Sequence, residues 1–278
     1  MMRYDILHRT HYAYAAPVRE SRNELHLQPL SNAQQTVDSF LLKVFPVTRL
    51  KHYHDFYSNC IHYFELPEPH STLTVESNLR VTTHPTAGLP LDARPAGVER
   101  LKEALSIERC YDYLQPSRFV ENTPEVWRLA VDAIGDERDV WQQTLRLMAF
   151  VHSHIAYESR STQVHTHTRE VLEQRRGVCQ DFAHVMLGLC RSLKIPALYV
   201  SGYLATEQAS ATHAWMEVFI PSHGWQPLDP THNCKPDETY VKLAVGRDYA
   251  DVAPICGTYK GTTERTMEVT VKIERVEG

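Results

Sequence analysis

The first hundred residues alternate apolar and polar positions in short runs. "QTVDSFLLKVFPV", "CIHYFELPEP" and "STLTVESNLRVTT" are rich in β-branched and aromatic residues and are bounded by Pro, Asn and Ser, which reads as strands. After His70 the alternation is clean, with Leu73, Val75 and Leu79 against Thr72, Thr74 and Glu76, and a slip is expected near Ser77. Successive strands of this kind predict a small antiparallel sandwich. Three prolines and two glycines in "HPTAGLPLDARPAG" (84–97) read as a linker, dividing the chain into units 1–95 and 96–278.

The pattern then turns helical. Thr123 and Pro124 have the form of an N-cap followed by proline at the first helical position, opening "PEVWRLAVDAI". Trp141, Leu145, Met148, His152 and Ile155 recur at helical spacing, and a short helix is expected after Thr168. In "RRGVCQDFAHVMLGLC" (175–190) and beyond, Phe182, Met186, Leu189, Cys190 and Leu193 form one apolar stripe, which Pro196 ends. Strands return in "ALYVSGYL" and "THAWMEVFI", "SHG" turns into "WQPLDP", and "TMEVTVKIERV" closes the chain. Helices followed by an antiparallel sheet make an α+β fold.

Composition narrows the function classes. At 278 residues, 42% hydrophobic and 23% charged, the chain has room for two modest domains. Net charge is −5 and the basic residues are scattered, so neither nucleic acid nor an anionic membrane is an expected partner. No run approaches the roughly 20 apolar residues of a membrane span. "MMRYDILHRTHYAYAAP" lacks the apolar core of a signal peptide. Cysteines 60, 110, 179, 190, 234 and 256 contain no C-x-x-C pair, which predicts reduced thiols and a cytoplasmic setting.

Candidate chemistry centres on Cys179. A thiol is nucleophilic only as thiolate, and the unpaired N–H groups and positive end of a helix favour that form. Cys179 opens the expected helix directly after Gly177-Val178, and its own N–H would face an oxyanion formed at its sulfur. His213, 34 residues on, could serve as base, and Asp229, 16 further, could fix its tautomer. Side chains alternate with period two, so His213 and Asp229 share a face only if the intervening loop is odd or the hairpin includes a bulge. A three-residue loop at 221–223 would make them diagonal neighbours. Cysteine is also among the most buried residue types, so on spacing alone a Cys–His–Asp set and plain core packing both stay open.

Other features are weighed the same way. Trp215 would share the face of His213, either walling a cleft or filling a core. Asp181 reads as a helix-dipole partner. Gln163 and Gln174 precede the cysteine without a spacing that assigns an oxyanion donor. Arg247, Asp248 and Asp251 read first as a structural turn. "HYH" (52–54), "HSH" (152–154) and "HTH" (165–167) lack a carboxylate or cysteine at a familiar zinc spacing, so no metal is assigned to them.

Together "GVCQDFAHVMLGLCRSLKIPALYVSGY" and "THAWMEVFIPSHGWQPLDPTH" strongly resemble the bacterial branch of the transglutaminase-like superfamily. "GRDYADVAPICGTYKG" resembles the loop that follows its core, and "YDILHRTHYAYAAPVRESRNELHLQPL" and "DFYSNCIHYFELPEPHSTLTV" resemble its accessory β domain. Tyr57-Ser58-Asn59 departs from it, since relatives tend to carry Gly before the Asn. The resemblance implies a papain-like core behind an N-terminal antiparallel β-sandwich, with Cys179, His213 and Asp229 as a catalytic triad. It implies cysteine-dependent acyl transfer at an amide through a thioester and without cofactors. The acyl group would go to water (protease, isopeptidase or amidase) or to an amine (crosslinking). Hydrolysis is the expectation, because no feature marks an amine site. A non-catalytic binding module is the alternative from another class. The branch's association with ATP-grasp-type ligase proteins implies a peptide-like amide substrate, and an accessory β domain with open edges would suit a homodimer.

Overall fold

The computed structural model describes residues 1–85, 89, 96–106, 108–158, 167–205 and 210–276. The N-terminal strands are β1 (Met2–Gln28), β2 (Gln35–Phe45), β3 (Lys51–His54), β4 (Cys60–Leu66) and β5 (His70–Thr83). Then come α1 (Glu108–Asp112), α2 (Pro124–Ile134), α3 (Val140–His154), β6 (Ala156–Tyr157), α4 (Thr168–Gln174), β7 (Arg176–Gly177) and α5 (Cys179–Ser192). The chain ends with β8 (Ala197–Ala205), β9 (Ser210–Ile220), β10 (Gly224–Leu228), β11 (Tyr240–Gly246), β12 (Ile255–Lys260) and β13 (Arg265–Val276). Most of the linker expected at 84–97 lies outside the described residues.

β1 is long enough to serve two sheets. Its first half pairs antiparallel with β5 and β13, its second half with β4 and β12, and β2 and β3 extend the two sides. Between the halves the register with β5 shifts after Ala13, and Ala15, Ala16 and Pro17 are exposed where the strand crosses over. The two sides enclose Tyr12, Val18, Leu25, Leu27, Phe64, Leu73 and Val75. β12 and β13 therefore complete the N-terminal sheet, although the sequence division placed them with residues 96–278. Strand pairing is non-local, and alternation within a strand does not say which strand it joins. No slip occurs at Ser77: β5 stays in register with β1 from Thr72 to Thr83, and Ser77 is an inward residue opposite His8.

The second unit places α5 against an antiparallel sheet of order β10-β9-β8-β11. Ala214, Met216, Val218 and Ile220 of β9 join the α5 core residues Phe182, Val185, Met186 and Leu189. The N-terminus of α2 is as expected: Thr123 is the N-cap, its Oγ1 accepts from Val126 N at 3.3 Å, and Pro124 follows. In α3 the buried positions are Val140, Gln143, Thr144, Leu147, Met148 and Val151, so of the expected stripe Met148 and the following Ile155 are buried, whereas Trp141 and Leu145 are only partly so and His152 is exposed. Polar residues could turn inward because they are satisfied: Thr144 donates to the Trp141 carbonyl at 2.7 Å and Gln143 to that of Glu137 at 2.7 Å.

α5 is more buried than a one-sided stripe suggests: every residue from Asp181 to Ser192 is inside. Arg191 is tolerated there because its guanidinium donates to the carbonyls of Ala197, Gln115 and Arg247 and to Ser117 Oγ. Burial still lowers its pKa, to about 10. The helix stops before Pro196. Lys194 adopts φ +64°, its N–H returns to Arg191 O, and Ile195 N–H returns to Cys190 O, which is a Schellman motif with lysine at the left-handed position.

The two units meet at β11. Gln35 Nε2 donates to Lys242 O at 2.8 Å and Lys242 N–H to Gln35 Oε1 at 2.9 Å. Asn59 repeats the pattern with Val245, at 2.7 and 2.8 Å. Two side-chain amides thus pair with the edge of the second sheet as a neighbouring strand would, and they shield it. Tyr4, Ile6, Leu79 and Val81 pack there on Tyr203, Val241 and Leu243. Ser58, before this Asn59, holds φ +67°, a conformation that favours glycine.

Candidate active site

Cys179 is delivered by a tightly built approach. α4 ends with Arg175 at φ +53°, β7 pairs in parallel with β6, and Val178 leads into α5 in extended conformation. Valine has no polar atom with which to cap a helix, so Asp181 reaches back and its Oδ2 accepts from Val178 N–H at 2.8 Å. That explains Gly177: a Cβ there would lie 2.6 Å from Asp181 Cβ and 2.7 Å from its Oδ2. Asp181 thus shapes the turn, in keeping with its expected place near the helix dipole. Cys179 is the first residue of α5 and is partly exposed. As the first helical residue it has no intrahelical acceptor for its N–H.

The β9–β10 hairpin positions the second group. Gly224 pairs with Ile220 and Leu228 with Met216, so the loop is Pro221-Ser222-His223, the odd length that places His213 and Asp229 on one face. His213 Nε2 donates to Asp229 Oδ2 at 2.8 Å, and both residues are buried. Burial alone would lower the His213 pKa. Hydrogen bonds with Asp229 and Cys179, reinforced by the charges of both, raise it instead to about 9.

Asp229 sits in a cage of donors. Oδ2 also accepts from His232 Nδ1 at 2.7 Å and Tyr240 Oη at 2.7 Å, while Oδ1 accepts the N–H groups of Thr231 at 2.8 Å and His232 at 3.3 Å. Burial would raise its pKa, but the hydrogen bonds from His213 and His232, the His213 charge and the Tyr240 hydroxyl hold it well below the usual carboxylate range. His213, Asp229 and His232 bring ligand-type atoms within 4.8 Å of one another. A carboxylate only accepts, so the ring nitrogens of His213 and His232 that face Asp229 donate to it. The cluster is therefore a hydrogen-bond cage.

Sequence reasoning gave no role to His232 or Tyr240. His232 had a local signal, since "DPTH" is a proline turn that returns its fourth residue to its first. Tyr240 comes from a separate strand and had none. Trp215 is buried, stacks on His213 with centroids 6.2 Å apart and meets Tyr240 edge-on. Gly202 makes room for it: a Cβ there would lie 2.5 Å from the indole.

Arg247 forms a bidentate pair with Asp251 at 2.8 and 2.9 Å, and buried Asp248 accepts the N–H groups of Phe119 and Ala250. These three residues build a turn. His152 of "HSH" contacts the Thr231 carbonyl at 3.0 Å. Gln174 is exposed. Gln163 and His165 of "HTH" lie outside the described residues.

The Transglutaminase-like superfamily matches residues 128–230, and the Bacterial transglutaminase-like N-terminal region matches residues 4–82. An uncharacterized protein of Mycobacterium leprae is 35% identical over 286 residues, covering 99% of this chain and 100% of the relative. One of Mycobacterium tuberculosis is 34% identical over 301 residues, covering 99% and 94%. The crystal structure of a candidate cysteine protease from Cytophaga hutchinsonii superposes with a TM-score of 0.80 at 23% identity, covering 100% of this chain and 91% of that one, a likeness of fold.

Proposed function

This chain belongs to the transglutaminase-like superfamily, and we propose that it cleaves a peptide or isopeptide amide through a thioester on Cys179, with His213 and Asp229 completing the triad. The observation that supports the reading is the buried His213–Asp229 contact, beside Cys179 at a helix N-terminus, whose thiol is among the groups that raise the His213 pKa. Nε2 of His213 is committed to Asp229, which leaves Nδ1 to the thiol.

The Cys179 sulfur attacks the carbonyl carbon, and a C–S bond forms as the carbonyl π electrons move to oxygen. The Cys179 N–H faces that oxyanion. His213 passes its proton to the leaving nitrogen, the C–N bond breaks and a thioester remains. Water then gives a proton to His213 and its oxygen to the acyl carbon, releasing the acid and the thiol. Asp229 holds the ring and its charge throughout. Water is proposed as the acceptor, and among the described residues no feature marks a place for an amine.

Trapping tests this directly. A peptide-amide library is incubated with the protein, with Cys179→Ala and with His213→Ala, and hydroxylamine is added to capture the acyl group. Hydroxamate formation and acid product only with unsubstituted protein support the reading. Equal product with Cys179→Ala refutes it, and incorporation of added amines without hydrolysis would make the enzyme a crosslinker.

A further inference from the structure

The two oxygens of Asp229 have different tasks. Oδ1 accepts backbone N–H groups of Thr231 and His232, and the backbones of Asp229 and Cys234 bridge at 2.9 and 3.2 Å, closing the 229–234 loop. Oδ2 accepts side chains: His213, His232 and Tyr240. Backbone contacts thus already shape the loop, and the His232 ring is an addition to the oxygen that holds His213. That ring lies 5.1 Å from the His213 ring and its side chain is 49% exposed, whereas Asp229 is 0% exposed. His232 therefore stands between the buried pair and solvent.

We propose that His232 is a positioning residue whose ring donates to Asp229 Oδ2 and keeps water off the Asp229–His213 contact. This rests on the reading in which His213 serves Cys179, but the contact can be tested without turnover. If His232 is cut back to alanine, water takes its place. Water also donates, so Oδ2 keeps a third partner, and the change is in screening. Water at Oδ2 screens the Asp229 charge while the His213 ring stays buried and keeps its burial penalty, so His213 releases its proton more readily. The other groups around the pair stay in place: Cys179 of α5, Trp215 of β9, Tyr240 of β11 with Cys234 at 3.5 Å from its hydroxyl, and His152 of α3 on the Thr231 carbonyl.

The experiment is a ¹⁵N-histidine NMR titration of His213 in the full chain, run for the unsubstituted protein, His232→Ala and His232→Asn, with thermal melting alongside. Alanine is expected to weaken the hold of His213 on its proton about tenfold. Asparagine, which can place a donor where Nδ1 lay, is expected to restore at least half of the shift. A midpoint that is unmoved or raised in His232→Ala, with only the melting temperature lowered, overturns the proposal. His232→Gln, which keeps bulk but displaces the donor, carries the same comparison should alanine fail to fold. If His213→Ala leaves Cys179 alkylation unchanged, the acyl-transfer reading falls, while the titration still decides the role of His232.

Discussion

Replacing Asp229 with asparagine removes the charge that holds a proton on His213 while keeping the size and shape of the side chain. The amide oxygen can still accept from His213 at the Oδ2 position, while its NH2 then meets the N–H groups of Thr231 and His232, a local cost that does not depend on pH. His213 titrates at about 9 instead of 6.5. At about 1.4 kcal/mol per unit, that difference is on the order of 3 kcal/mol, shared between Asp229 and Cys179 and already net of burial. A raised pKa adds stability that is full below the unfolded value near 6.5 and is lost as pH climbs through 9. The alkaline limb of kcat/KM should therefore lie near 9 in the unsubstituted protein and near or below neutrality in Asp229→Asn. At pH 8 the variant should be about tenfold less active, with a smaller deficit at pH 6. Urea denaturation at pH 6 and pH 9 should show stability falling with pH in the unsubstituted protein and a flatter dependence in the variant. An alkaline limb that stays near 9 in Asp229→Asn would refute the claim that this carboxylate sets the state of His213.

Other perturbations test the scaffold. Arg191→Met should cost at least about 3 kcal/mol by denaturant unfolding, since it strands buried carbonyls of three segments. Asn59→Ala should cost about 1–3 kcal/mol by removing both bonds to Val245, without changing Cys179 alkylation in the folded protein. Ser58→Gly should stabilise by up to about 1 kcal/mol in thermal melting, because φ +67° penalises serine.

Local rules were legible where the chain's own geometry decides the outcome. The odd loop at 221–223 followed from parity, and the Thr123–Pro124 cap followed from residue type. Where a partner decides, the signal was absent or misleading. Helical spacing in α3 points to Trp141 and Leu145, but Gln143 and Thr144 are buried because nearby carbonyls accept from them. Arg191 could be buried only because segments 56 and 76 residues away in sequence supply acceptors. Ser77 looked like a break because a small polar residue facing inward resembles a change of phase. β12 and β13 alternate as any strands do, and nothing in that pattern names β1 as their partner. At the site, the resemblance marked Cys179, His213 and Asp229, whereas the donors that surround Asp229 became visible only once the 229–234 loop and β11 were placed around it.

The most direct test of the central claim is the alkylation rate of each cysteine by iodoacetamide at pH 7, read by peptide mass mapping with and without His213→Ala. The account predicts that partly exposed Cys179 reacts well ahead of exposed Cys256 and loses that lead in the variant. A Cys179 that reacts no faster than Cys256, or one indifferent to His213, would contradict it.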